Sequence, residues 1–342
     1  MPDNQISPPL KGDEAMDTGT HIVMGIALGG LAMADPVVAS HPATATAVIA
    51  GTIIGSQIPD IDTVLKLRSN AIYIRHHRGA THSIPAVLLW PILLTAAIGF
   101  VFPSADLLHL WMWTFLAVFL HVFVDIFNSY GTQALRPFSN RWVALGVINT
   151  FDPIIFGMHL VTLMFWAFGS NPVWTMAILY VVLFFYYILR FAVQGAVKHA
   201  VRNTIPGTTN IIVAPTIRFL EWRVAADTDK HHYVGRAYGR SINIYDKFEK
   251  LALPESNRLF QTALKDKNLS AFVSFSPLYR WEINEYGKIY EVRLIDLRYR
   301  SNDYYPFVAV AHLDENYKVV NSYTGWIFSE DKLRKKLDFS HN

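Results

Sequence analysis

The sequence contains no cysteine. That excludes disulfides and thiolate metal sites, so any metal held here rests on imidazole and carboxylate. Charge is scarce as well: Asp, Glu, Lys and Arg make up 17% of the 342 residues, against about 25% in ordinary soluble chains. Much of the 52% hydrophobic content must therefore face lipid. Basic residues are missing in whole blocks, from Lys11 to Lys66, from Arg78 to Arg136 and from Arg141 to Arg190. The net charge of +3 is mild and its positive groups are scattered, which leaves no nucleic-acid-binding footprint.

What is present falls into three parts. Residues 1–15 are polar and Pro-containing and read as a disordered tail. Residues 16–200 carry the apolar runs and read as a helical, multi-spanning membrane domain with four to six membrane segments. Residues 201–342 have ordinary soluble composition. A signal peptide ending at Ala32-Met33-Ala34 is disfavoured, because Asp13, Glu14 and Asp17 occupy the place of its basic region. The segments Ile84–Phe102, Leu107–Phe127 and Val173–Val193 approach or reach the ~20 residues a bilayer core requires. Ile154–Phe168 is shorter. Ile22–Ala39 and Ala43–Ile58 are rich in Ala, Gly and Thr, and suit a packed interior, either crossing or re-entering as a pair.

The basic residues give a sidedness. Lys66, Arg68, Arg75 and Arg78 fall in loop 59–83, Arg136 and Arg141 in loop 128–153, and Arg190, Lys198 and Arg202 after the last span. The alternate connections hold no Lys or Arg, so the first group is expected in the cytoplasm of a cell-membrane, multi-pass protein. His21, Asp60, Asp62, His77, His82, His121, Asp125 and Asp152 all fall at that same end of their helices on this map.

His121 and Asp125 stand at i and i+4, on one helix face, where both can reach one cation; a simple His–Asp hydrogen bond is the plainer explanation. Asp60 and Asp62 close an apolar run, as ligating or bridging acids or as solvated acids of a helix stop. His76 to Ser83 packs three imidazoles, Arg78 and Gly79 directly before a span. Arg78 can grip an anionic oxygen, Gly79 permits a tight turn, and Thr81 or Ser83 can cap the next helix. His21 follows Thr20 at the expected start of the first segment, where a lone histidine is usually structural. His109 and His159 have no acidic partner on the map, and His41 falls on the other side. Ionisable groups at membrane depth tend to be functional, and this many on one face is hard to explain as packing.

These stretches, Thr20-His21, Pro59-Asp60-Ile61-Asp62, His77-Arg78-Gly79-Ala80-Thr81-His82-Ser83, His121-Val122-Phe123-Val124-Asp125 and Gly131-Thr132, resemble in order the YdjM/YfhP-type family of membrane-bound metal-dependent hydrolases, also called LexA-binding inner-membrane proteins. The resemblance covers roughly residues 16–195. A more distant likeness is to zinc-dependent phospholipases C and single-strand nucleases, whose helical core orders a His, an Asp, a His and a His-x-x-x-Asp pair. Their later His-x-x-x-Glu/Asp pair is missing here, where only Asp152 stands, so one or two metal ions are implied instead of three.

The resemblance implies a divalent-metal site of His21, Asp60, His77, His82, His121 and Asp125, with Zn²⁺ preferred and Mn²⁺ second. Asp62 is a ligand or the base that takes a proton from water, and Arg78 holds the substrate anion. The implied activity is hydrolysis of a phosphodiester such as a phospholipid headgroup at the cytoplasmic face, with membrane lipids as partners. The alternative is a regulatory anchor, in which the C-terminal domain binds a protein partner and the metal is structural. A transporter is disfavoured because the polar groups lie at the helix ends, away from the midplane.

Beyond residue 208, alternating and β-favouring runs predict strands over Asn210–Val213, Phe219–Val224, Tyr233–Tyr245, Ala271–Ser274, Glu291–Arg298, Phe307–His312 and Lys318–Tyr323. One helix is expected over Ser256–Lys267. Together they give a mostly β, antiparallel cytoplasmic domain.

Overall fold

The computed structural model describes residues 11–254, 256–301 and 303–338. Its first half is helical: α1 (Lys11–Leu31), α2 (Pro36–Ser40), α3 (Pro42–Gly55), α4 (Asn70–His76), α5 (Ile84–Val101), α6 (Leu107–Asp125), α7 (Pro153–Ala167) and α8 (Pro172–Thr204). Short 3₁₀ turns cover Ile58–Leu67 and Ala80–His82. Among the described residues α5, α6 and α8 are long and apolar enough to cross a membrane, while α3, α7 and the apolar part of α1 are shorter. The starts are written locally. Ser83, Asp106, Asp152 and Asn171 each accept a hydrogen bond from a first-turn amide, and Pro85, Pro153 and Pro172 pre-set the first turns of α5, α7 and α8.

Small residues let α1, α3 and α6 approach closely. A Cβ on Gly25 would stand 2.8 Å from the Thr52 carbonyl oxygen, and one on Gly51 would collide with the Thr114 hydroxyl. The small-residue segments are therefore the inner pair of the bundle, as their composition suggested. Three local expectations are corrected. Helix α1 starts at Lys11, so His21 lies inside it and not at its cap, and residues 11–15 are helical; residues 1–10 lie outside the described part. Helix α8 continues to Thr204, because Val197 and Val201 pack on the β structure. His109 does have an acidic partner: Asp35, 2.6 Å away at the other end of the bundle.

The second half is two antiparallel four-stranded meanders. The first comprises β1 (Asn210–Pro215), β2 (Glu221–Asp227), β3 (His231–Tyr238) and β4 (Ser241–Glu249). Two helices follow, α9 (Arg258–Leu264) and α10 (Lys267–Phe275), then β5 (Tyr279–Tyr286), β6 (Ile289–Asp296), β7 (Phe307–Leu313), β8 (Val319–Trp326) and α11 (Glu330–Asp338). Strand β7 shows why the second sheet is buried on both faces. Phe307, Ala309, Ala311 and Leu313 meet α9 and α10, while Val308 and Val310 meet Leu333 and Leu337 of α11 with Ala225 and Val234 of the first sheet. Period-2 alternation between two apolar environments leaves a run without polar interruption.

The helix expected over Ser256–Lys267 is α9, Arg258–Leu264, which ends before Asp266, the cap of the following α10. Ala271–Ser274 belongs to α10 and not to a strand, since Leu269 and Phe272 share a helical face on the core. Strand β5 and helix α11 had no expectation; β5 is a half-exposed edge whose charges mask its alternation. The expected Tyr233–Tyr245 strand folds back at Gly239, whose φ is +58.

The two halves interlock. Ile74 of α4 and Tyr130 join the α9–α10 core, and Tyr130 stacks on Phe275 and Tyr299. Arg190 of α8 is buried over the Trp222 ring and donates to the carbonyls of Val147 and Phe219. Such a guanidinium, inside protein and not at the headgroups, is weaker support for sidedness than a snorkelling Arg.

Candidate metal centre

Four ligand-type atoms meet at one end of the bundle. They are Asp60 Oδ1 from the turn after α3, His82 Nε2 from the turn before α5, and His121 Nε2 and Asp125 Oδ2 from the last turn of α6. His82 Nε2 lies 3.5 Å from Asp60 Oδ1 and 3.3 Å from Asp125 Oδ2. His121 Nε2 lies 3.7 and 3.5 Å from the same two oxygens. The two imidazole nitrogens are 3.3 Å apart. A tetrahedral ion with bonds of about 2.0–2.1 Å has ligand–ligand edges of roughly 3.3–3.4 Å, close to these separations.

The surrounding hydrogen bonds fix what these atoms offer. His121 Nδ1 faces the Ser56 carbonyl oxygen at 2.7 Å, so that nitrogen carries the proton. His82 Nδ1 lies 3.1 Å from Thr81 Oγ1, whose hydroxyl donates to Asp62 Oδ2 at 2.7 Å. The Thr81 oxygen is therefore the acceptor, and His82 Nδ1–H the donor. Both neutral imidazoles then point Nε2 lone pairs at the same spot as two carboxylate oxygens. Asp60 Oδ1 and Asp125 Oδ2 are buried and have no hydrogen-bond partner. With both imidazoles neutral the four lone pairs repel one another unless a positive charge, a proton on His82 Nε2 or a cation, lies between them. Burial alone would lower the pKa of His82, but the Asp125 and Asp60 carboxylates facing it push it up to about 9, so without a metal the cluster takes its positive charge as a proton on His82 Nε2. Burial would likewise raise Asp60, yet His121, His82 and Arg78 hold it well below the usual carboxylate range.

The remaining sequence-predicted residues surround this quartet. Asp125 Oδ1 lies 3.3 Å from Arg78 Nη2, 3.5 Å from His21 Nε2 and 3.4 Å from Asn128 Nδ2. His21 lies against His121, ring centroids 3.9 Å apart and the rings tilted by 30°, outside the four-atom group. Arg78 is buried and takes φ +55, so the left-handed residue of this turn is Arg78, where Gly79 had been expected to supply the flexibility. Asp62 Oδ1 bonds His77 Nδ1 at 2.8 Å, and its Oδ2 accepts from Arg78 N at 2.8 Å and from Thr81. Those bonds outweigh burial and lower its pKa. Asp60, Asp62 and His77 form a second group within ligand range of one another, in which Asp62 Oδ1 and His77 Nδ1 face each other directly. Asp152 caps α7 and accepts from Tyr186 Oη at 2.8 Å. Thr81, Ser56 and Asn128 were missed as orienting groups. Thr81 lies inside the motif and was legible only as a cap; the Ser56 carbonyl carries no sequence signal.

A helical membrane bundle with a His/Asp cluster able to hold a metal, followed by antiparallel sheets, defines the class. The chain belongs to the YdjM inner membrane protein family, whose model matches residues 16–196. The YfhP middle domain matches residues 206–248 and the YfhP C-terminal alpha/beta plait domain residues 258–337. The chain is 54% identical over 323 residues to the uncharacterized protein YfhP of Bacillus subtilis (strain 168), covering 94% of this chain and 98% of that one. No solved structure matches.

Proposed function

We propose that this protein is a membrane-embedded, metal-dependent hydrolase acting at the cytoplasmic face on a phosphodiester, such as a phospholipid headgroup. The observation that carries the reading is the convergence of Asp60, His82, His121 and Asp125 on one buried point with two unbonded carboxylate oxygens. Imidazole and carboxylate donors near tetrahedral spacing favour Zn²⁺, with Mn²⁺ second. A divalent ion there would supply an acidified water and offset charge building on a phosphoryl oxygen.

The protein's own groups have separate tasks. Asp60 is the most exposed of the four, with 19% of its side chain accessible, so its edge is where water and substrate would enter. Arg78, beside Asp125, would steady the anionic oxygens. Asp62 holds His77, Thr81 and the Arg78 backbone, which suits a positioning carboxylate better than a base. His21, against His121 and 3.5 Å from Asp125 Oδ1, is the candidate to carry a proton on the other flank.

The test is metal analysis of detergent-purified protein, paired with a panel of lipid and nucleotide phosphodiesters. About one zinc per chain and metal-dependent turnover are expected. Metal-loaded protein that hydrolyses nothing on the panel would overturn the hydrolase reading. One observation favours a regulatory anchor with a structural metal: four protein ligands already complete a tetrahedral set, as in structural zinc sites. Under that reading the C-terminal domain, locked onto α4 and Tyr130, would bind a protein partner, and ligand mutants would lose stability with no activity to lose.

A further inference from the structure

We infer that the cavity between α1, α6, α7 and α8 is a binding site for one hydrocarbon chain of a membrane phospholipid. The chain would lie with its headgroup towards Asp125 and His21. This rests on the hydrolase reading only for what happens to the headgroup; the chain site stands on its own observations.

The cavity has a volume of about 330 Å³. Ligand pockets start near this size, and at about 30 Å³ for a water-sized group it accommodates roughly ten chain carbons. Its long walls are apolar: Leu120, Phe123 and Val124 on α6, and Leu183, Phe184 and Tyr187 on α8. One end is polar, closed by His21, Asp125 and Asp152. Asp125 is also one of the four metal-competent groups. The cavity therefore joins hydrocarbon-like walls directly to the candidate centre.

Its mouth faces outward from the bundle. Phe123, Phe184, Ile188 and Phe191 line it and are 41–62% exposed, on the two helices α6 and α8 that qualify as spans. At that depth the surrounding medium is lipid, and an apolar slot open to lipid is filled by lipid chain. A soluble apolar ligand would need another entrance.

A second observation points to an amphiphile in place of bare hydrocarbon. Tyr180 Oη and His159 Nε2 line the cavity, are buried, and have no hydrogen-bond partner. His159 Nδ1 lies 2.8 Å from the Ile155 carbonyl oxygen, so its Nε2 is an acceptor; the Tyr180 hydroxyl can donate or accept. Seven residues of α7 separate His159 from Asp152, about 10 Å along the helix. Polar atoms left unpaired at that depth are costly. A bare hydrocarbon chain offers the Tyr180 hydroxyl no acceptor, so the occupant carries a polar group as well.

The experiment extracts detergent-purified, extensively washed protein and measures retained phospholipid and zinc on the same samples. Wild type, Val124→Trp and Leu183→Trp are compared. Near-stoichiometric lipid on wild type, reduced at least fivefold in both variants with zinc unchanged, is the expected result. Equal lipid on all three means only annular lipid and overturns the proposal. Should the variants not fold, wild type in vesicles carrying a photoreactive acyl-chain phosphatidylglycerol gives the answer. Crosslinks concentrated on Val124 and Leu183 support the chain site, whereas crosslinks confined to the outward Phe185 and Leu189 overturn it. Lipid retention without turnover of any phosphodiester would remove the hydrolase and leave the chain site. Turnover of soluble phosphodiesters without retained lipid would do the reverse.

Discussion

Asp125 is the residue on which most contacts depend: one oxygen faces two imidazoles, and the other faces Arg78, His21 and Asn128. Asp125→Asn keeps shape and removes the charge, so bound zinc should fall by tenfold or more. His121→Ala should do the same, while the exposed His41→Ala should change nothing; equal metal in all three by elemental analysis would remove the quartet from consideration. Arg78→Lys should leave metal content intact and lower phosphodiester turnover by about tenfold or more, roughly 1.4 kcal/mol, because an ammonium cannot reproduce the two parallel bonds of a guanidinium. Thr81→Val tests the orienting chain. It removes the hydroxyl between Asp62 and His82 at nearly constant volume, and such outer contacts are worth about 10–100-fold in metal affinity. Unchanged zinc affinity in a competition titration would show that His82 needs no such support.

At the scale of elements, the site exists because α3 and α6 touch closely enough for Asp60 to reach His121. The contact runs over Gly51 and Thr114. Gly51→Leu should destabilise the bundle by about 1–3 kcal/mol or more through overpacking, and metal should be lost with it, read as a lower thermal midpoint in detergent. A full thermal midpoint with zinc retained would mean that the helices can separate without moving the site. The apolar runs, the capping residues with their following prolines, and the pair His121–Asp125 were legible in the sequence because each is encoded within a few residues. The boundaries of α1 and α8 were not. The first turns of α1 are polar and carry no apolar signal, and the last turns of α8 are helical because the first sheet covers Val197 and Val201. Strand β5 and helix α10 were hidden for a similar reason, since packing overrode the local pattern.

For the whole molecule, the positive-inside rule makes a single statement that can fail. Reporter fusions after Arg78, Arg141 and Arg202 should all report cytoplasm, and an external signal at any one of them would separate the loops that build the site. By itself the sequence determined that the chain has a helical membrane part and an antiparallel β part, that any metal held here would rest on imidazole and carboxylate, and which short stretches offer those groups. Those are properties of composition, periodicity and fixed spacing along the chain. Only the tertiary structure showed that Asp60, His82, His121 and Asp125 converge on one point, with Asp62, His77 and His21 packed around it. It also decided that His109 pairs with Asp35 far from that point. Ligand spacing across separate helices depends on how closely the helices pack, and a difference of a few ångströms decides whether a carboxylate faces a cation or a backbone amide.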